Sequence, residues 1–431
     1  MSPPSHHAPG AASDRPRSAE ADLARRYRTV RARTAALAAP LSAEDMVVQS
    51  MPDASPAKWH LAHTTWFFET FLLAGREPGF APFDPAYGYL FNSYYDAVGP
   101  RHPRARRGML TRPALAEIGA YREAVDDRVA RLLANGLDAG AAAVLELGLH
   151  HEEQHQELLL TDIKHAFFSN PLRPSYAPAP PATARSAPPL SWVASPGGIH
   201  EVGDAGERFA FDNERPRHRV WLEPFAIASR AVTCGEYLAF VDDGGYRDPR
   251  LWLSDGFAAA QAGGWQAPLY WERADGGGRW TVFTLHGTRP LDPDEPVVHA
   301  SFYEAEAFAR WAGARLATEE EWEVAAVGSP GRAGTFADSG RFHPAPAEDA
   351  RPAQLLGDVW EWTRSAHSPY PGYRPAPGAL GEYNGKFMCN QLVLRGGSCA
   401  TPAGHVRPTY RNFFPPEARW QFSGVRLARE A

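Results

Sequence analysis

Six prolines set among small residues, from Arg173 to Pro189, limit the folding of this chain more than any other feature. Proline fixes φ and removes a backbone donor, so such a stretch continues neither a helix nor a central strand. It reads as a linker, and the residues on its two sides differ in texture. Before it, apolar residues recur at helical spacing over residues 19–38, over a segment opened by Ser55 as cap and Pro56 and closed by Gly75, over 113–135, and over 138–170. Four helices with a long crossover between the second and third make a bundle. After the linker, strand-like runs such as Arg219 to Leu222 alternate with Gly and Pro turns, and helices are few. The clearest are Tyr303 to Ala312 and one opened by Thr318 with Glu321, a capping box. The expected fold is α+β in two domains, a helical bundle over 19–172 and a mixed domain over 190–431, joined by the linker 173–189. Residues 1–18, rich in Pro, Ala, Ser and His, read as a disordered tail.

Composition narrows the function. A chain of 431 residues with 44% hydrophobic content exceeds one compact core. The formal net charge of −6 gives no electrostatic reason for a nucleic acid or an anionic membrane as partner, which leaves small molecules. No run approaches the roughly 18 apolar residues of a spanning helix. The three cysteines, Cys234, Cys389 and Cys399, read as free thiols of a cytoplasmic protein.

Within 138–170, His151-Glu152-Glu153-Gln154-His155 sets two imidazoles one turn apart. Val144, Leu147, His151, His155 and Leu158 share one helical face, so both histidines are expected to point inward. One such histidine is ordinarily a hydrogen-bonded core residue, but two in register beside Glu152, Glu153 and Glu157 suggest a metal. The letters also satisfy the H-E-x-x-H pattern of zinc peptidases. The extended peptidase pattern, however, needs a glycine and a histidine where Leu158 and Thr161 stand. No glutamate lies between Glu157 and Glu201 to act as a downstream ligand, although Asp162 remains open. A di-iron site would need a second Glu-x-x-His pair beside Glu152 and His155. A mononuclear site of three imidazoles stays in play for zinc or ferrous iron. Its third ligand would be His60 or His63, which lie three residues apart and are not separated by position alone.

Several motifs carry a family resemblance. Trp59-His60-Leu61-Ala62-His63-Thr64-Thr65-Trp66, Asn92-Ser93-Tyr94-Tyr95 and the His151 motif resemble the DinB-like domain of hercynine oxygenases, the ergothioneine sulfoxide synthases. Gly357-Asp358-Val359-Trp360-Glu361-Trp362, Leu394-Arg395-Gly396-Gly397-Ser398 and Phe422-Ser423-Gly424-Val425-Arg426-Leu427 are similar to the formylglycine-generating-enzyme fold, a relative of C-type-lectin folds. The resemblance implies a DinB-like four-helix bundle followed by a formylglycine-generating-enzyme-like domain. It further implies Fe(II) on His63, His151 and His155, with His60 outside the ligand set. Gln154 would hydrogen-bond the substrate imidazole, and Tyr94 and Tyr95 would stand near the metal as proton or hydrogen-atom donors. Asn412, Phe413 and Phe414 would form a loop over the substrates, with Phe413 against a quaternary ammonium. The implied reaction is dioxygen-dependent joining of C2 of hercynine to the sulfur of a small thiol, giving a sulfoxide in ergothioneine biosynthesis. Phe414 and Ala418 stand where users of γ-glutamylcysteine carry an acidic and a basic residue, which points to cysteine as donor. The basic run Arg101 to Arg107 reads first as a solvated loop and second as a carboxylate site. Selenoneine synthesis from hercynine and a selenosugar stays open, as does a metal-containing, lectin-like binding protein without turnover. Oligomeric state is not legible.

Overall fold

The computed structural model describes residues 14–181, 185–206, 208–273, 278–328, 334–348 and 352–431, with the backbone alone for 14–20. The bundle comprises α1 (Asp14–Ala38), α2 (Ala57–Phe67), α3 (Leu115–Ala134) and α4 (Ala139–Ser169). The expected disordered tail is corrected at its end: residues 14–18 belong to α1, while 1–13 lie outside the described residues. α4 has 31 residues, a length of about 46 Å at 1.5 Å per residue. Its start is set by Asp138, whose carboxylate accepts from the Ala141 N–H at 2.7 Å.

The expected Ser55 cap of α2 is also corrected. Pro56 occupies the cap position, the Ser55 N–H donates to Asp162 Oδ2 at 2.7 Å, and its hydroxyl accepts from Arg107 at 2.9 Å. Partners distant in sequence have taken the groups that a local cap would use. Every residue of α2 is buried, and beyond Phe67 the helix widens into a π turn, Phe68–Leu73. This turn approaches α4 at Gly148, where a Cβ would stand 2.4 Å from Phe68 Cε1. α2 therefore seats close against the helix that carries His151 and His155.

The second domain contains two four-stranded sheets. One runs Trp192–Ser195, Phe225–Ala228, Leu427–Glu430, Arg315–Leu316 in spatial order. The other runs Asn412–Phe414, Leu392–Arg395, Trp360–Ala366, Ser423–Gly424. Buried charges tie them together. Arg426 pairs with Glu361 of the second sheet at 2.7 Å and donates to the Ala228 carbonyl of the first at 2.8 Å. Arg395 reaches Glu319 at 2.9 Å and Glu323 at 3.1 Å. Gly396 has φ +100°, and a Cβ there would meet Leu355 O at 2.4 Å. The capping box is present: Thr318 Oγ1 accepts from the Glu321 N–H at 3.2 Å and Glu321 Oε2 from the Thr318 N–H at 2.9 Å, starting the helix Glu319–Gly328.

The proline-rich segment is seated between the domains. The Tyr176 hydroxyl donates to the Leu37 carbonyl at 2.6 Å, and its N–H to the Leu285 carbonyl at 2.7 Å. Residues 182–184 lie outside the described residues. The three cysteines are free, and no described helix is long and apolar enough to cross a membrane.

Candidate metal centre and substrate cavity

His63 projects from α2, and His151 and His155 from successive turns of α4, so that their ligand atoms all lie within 4.8 Å of one another. All three are buried. Hydrogen bonds assign the tautomers of His63 and His155. The His63 Nδ1–H donates to the Phe91 carbonyl at 2.6 Å, which leaves Nε2 as an acceptor 3.1 Å from His151 Nε2. His60 Nε2 lies 3.1 Å from the Asp162 carboxylate and so carries the hydrogen; its Nδ1 then accepts from His155 Nδ1 at 2.8 Å. His155 is left with Nε2 free. His151 Nδ1 has no partner although it is buried.

This donor set fits a metal. Burial holds His151 down to about 3. Burial and then the neighbouring imidazoles hold His63 and His155 well below the usual histidine range, so all three are neutral at pH 7, the form that can bind a metal. Two adjacent ligands about 2.1 Å from an ion stand about 3 Å apart, close to the separation of the two facing Nε2 atoms. His60 lies behind His155, in an Asp162–His60–His155 chain of the kind that can orient a ligand imidazole. Asp162, left open as a ligand, is engaged by Ser55 and His60 instead.

The glutamates of the motif have separate duties. Glu152 is fully buried between Arg31 at 2.9 Å and Arg122 at 3.1 Å, binding α4 to α1 and α3. Burial opposes its ionisation, but the two guanidinium groups outweigh that and hold the carboxyl at about 2. A peptidase base would need Glu152 on the metal side, so that reading is excluded by geometry. Glu157 accepts from Trp360 Nε1 at 2.8 Å, Ser398 Oγ at 2.6 Å and Thr401 Oγ1 at 2.6 Å, clamping α4 to the second domain.

Both domains line a cavity of about 920 Å³, and a smaller one of about 180 Å³ adjoins His151 and His155. Tyr94, Gln154, Asn412 and Phe414 border both; Phe413 borders the larger. The face carrying Val144, Leu147 and Leu158 therefore points toward the seam between domains and not the bundle centre. Tyr95 is fully buried behind Tyr94, with ring centroids 4.5 Å apart and hydroxyls 3.4 Å apart. Burial raises both phenols, Tyr95 well above the usual value, so both stay protonated. Asn412–Phe414, expected as a loop, is corrected to an edge strand, with Asn412 opposite Leu394 and Phe414 opposite Leu392. Phe413 stacks on His367 at 4.1 Å.

Three residues at the cavity escaped sequence reasoning. The Tyr383 ring lies 5.7 Å from that of His151, and its hydroxyl donates to Gln154 Oε1. The Tyr410 hydroxyl accepts from Gln154 Nε2 at 2.7 Å. Arg107, placed only within a basic run, is buried with its guanidinium 3.4 Å over the Trp59 ring and bonded to Ser55 and Ser93 hydroxyls. No carboxylate pairs with Arg107 among the described residues, and its Nε lacks a partner. Burial, and then Arg104, pull its pKa down to about 8, against the opposing charge of Asp162. Isolated tyrosines in irregular segments gave no signal; the basic run did, but not which arginine turns inward.

A second group, His150, Glu153 and His405, also brings ligand-type atoms together. Arg26 Nη2 can only donate, so His150 Nε2 facing it at 3.3 Å is an acceptor and Nδ1 carries the hydrogen. That hydrogen points at Glu153 Oε2, 3.0 Å away, and His405 Nδ1 donates to the same oxygen at 2.9 Å. The two imidazole nitrogens turned to this centre both carry hydrogens, so neither offers a metal a lone pair there, and the cluster is a hydrogen-bond network.

Residues 26–159 match the DinB superfamily, and residues 177–352 and 352–431 match the sulfatase-modifying factor enzyme 1-like domain. The chain is 36% identical over 408 residues to the hercynine oxygenase of Mycobacterium tuberculosis, covering 89% of this chain and 93% of that one. It is 37% identical to the hercynine oxygenase of Mycolicibacterium thermoresistibile, covering 95% and 94%. The formylglycine-generating enzyme of Streptomyces coelicolor is 34% identical over 304 residues, covering 60% of this chain and 95% of that one.

Proposed function

The chain belongs to the hercynine oxygenase family, and from that premise we propose that it joins C2 of the hercynine imidazole to the sulfur of a small thiol, cysteine, with dioxygen as oxidant. C2 and sulfur each lose a hydrogen, one oxygen atom goes to sulfur as the sulfoxide, and the other leaves as water. The observation that carries this reading is the convergence of three neutral imidazoles, His63, His151 and His155, at a cavity walled by both domains. Ferrous iron, held by these residues, would supply open coordination positions and a redox relay through which the electrons of the two substrates reach dioxygen.

The protein's own residues do the rest. Gln154 orients the substrate ring beside the three histidines. Tyr94 borders the cavity and donates a proton from a phenol that burial keeps protonated, while Tyr95 holds it from behind. The aromatic wall of Phe413 and Phe414 suits a trimethylammonium group. Arg107, which bonds hydroxyls and no carboxylate among the described residues, takes the carboxylate of the donor. The seam between the domains keeps bulk water from the reacting atoms. Two phenols beside a triad of imidazoles serve turnover, and a lectin-like binder has no use for them.

The test is incubation of the Fe(II)-loaded protein with hercynine, oxygen and, in turn, cysteine, γ-glutamylcysteine or a selenosugar, with products read by mass. A cysteine-derived sulfoxide is the expected outcome. Product with only γ-glutamylcysteine or the selenosugar would reassign the donor, and absence of product with all three would sink the synthase reading.

A further inference from the structure

Gln154 is gripped from the second domain on both sides of its amide. The Tyr383 hydroxyl donates to Oε1, and Nε2 donates to the Tyr410 hydroxyl at 2.7 Å. The hydrogen of Tyr410 has its own acceptor. His405 Nε2 lies 3.2 Å from that hydroxyl, and because His405 Nδ1 donates to Glu153, Nε2 holds a lone pair. Glu153 Oε2 receives both N–H donors, from His150 at 3.0 Å and from His405 at 2.9 Å. Every donor and acceptor from Arg26 through His150, Glu153, His405 and Tyr410 to Gln154 is thus assigned in one direction. Tyr410 is 3% exposed, with its ring 5.4 Å from Trp360 and 5.5 Å from Phe211, so solvent does not compete for its hydroxyl.

We propose that Tyr410, backed by His405 and Glu153, is a positioning residue that locks the Gln154 amide in one orientation for recognition of the substrate's imidazole. A glutamine amide otherwise turns over at little cost, exchanging donor and acceptor. Locked, it keeps one N–H and one oxygen lone pair, which complement a neutral imidazole with one acceptor nitrogen and one N–H. The inference rests on the reading that the substrate is an imidazole. It adds that α4 reads the ring only when the second domain holds the reader.

The test is steady-state turnover of the iron-loaded enzyme, with KM measured separately for hercynine and for the thiol. Tyr410→Phe should raise the hercynine KM about tenfold, the worth of one buried hydrogen bond, with the thiol KM within about twofold and iron content unchanged. His405→Ala, which keeps the Tyr410 ring in place, should act the same way and serves if Tyr410→Phe lowers the melting temperature. His405→Gln, able to accept and donate, should recover most of the loss. In a Gln154→Ala background Tyr410→Phe should add almost nothing, because the group it positions is gone. Full additivity of the two changes, or an equal rise in both KM values, overturns the positioning role while leaving the substrate reading intact. No turnover of hercynine by the unmodified enzyme overturns the substrate reading and this inference with it.

Discussion

His150 and His151 are adjacent on α4, yet they belong to clusters of opposite character. His150 turns to Glu153 and His405, where every nitrogen has a partner and a carboxylate absorbs two N–H donors. His151 turns to His63 and His155, where no carboxylate enters among the described residues, the two closest atoms are both Nε2, and Nδ1 of His151 is buried without a partner. Spacing looks alike in the two cases, and the histidines of both clusters are buried. What separates a candidate metal site from a polar core here is the count of satisfied lone pairs. A closed network needs nothing further, while converging acceptors call for a cation.

The largest expected effect breaks the open cluster. His151→Ala should abolish iron binding, with metal content after loading falling from about one per chain to near zero and activity lost. Full metal retention would show that the ligands lie elsewhere. The next effect concerns neither histidine cluster but the glutamate between them. Glu152→Ala leaves Arg31 and Arg122 facing each other in the bundle without their shared anion. By analogy with broken buried pairs it should cost about 3–5 kcal/mol in urea unfolding. A loss under about 1 kcal/mol would mean that the two guanidinium groups find other partners.

His60 probes the boundary between the clusters, because it is fully bonded and yet touches a ligand. His60→Ala should leave iron content intact at saturating metal but weaken affinity about 10- to 100-fold, measured by competition with a chelator. Complete loss of metal would promote His60 to a ligand, and unchanged affinity would remove the Asp162–His60–His155 chain from the metal's support.

The helices of the first domain were legible because periodicity, Asp138 and Pro171 are local signals, and α3 and α4 begin and end within two residues of the sequence reading. The histidine motif was legible for the same reason. The motifs of the second domain stand out for a different one: Glu361, Arg395 and Arg426 are buried charges, each held by a specific partner. Ser55 misled because Arg107 and Asp162, distant in sequence, had taken its groups. Tyr383 and Tyr410 were invisible because their meaning lies wholly in Gln154, which the fold brings to them across more than 200 residues. The edge strand Asn412–Phe414 has three residues, too few for alternation to declare itself.

The smallest effect compares how the fold holds a neutral imidazole without a metal. Burial lowers His150 to about 4, and in the second domain it does the same for His343 and His367. Each has a folded-state pKa below the ordinary value near 6.5, so between pH 6.5 and pH 4 the unfolded chain binds a proton that the folded chain refuses. Stability must therefore fall as pH drops through that window, with each group contributing up to about 1.4 kcal/mol per pH unit, and it is regained above pH 6.5. Replacing His150 with Gln removes one such group from the closed cluster. The metal-free variant should then show a shallower decline than the unmodified protein in urea melts taken at intervals from pH 7 to pH 4.5. Parallel curves would mean that His150 keeps a proton in the fold. That proton would stand against Arg26 and undo the assignment of donors that distinguishes the closed cluster from the open one.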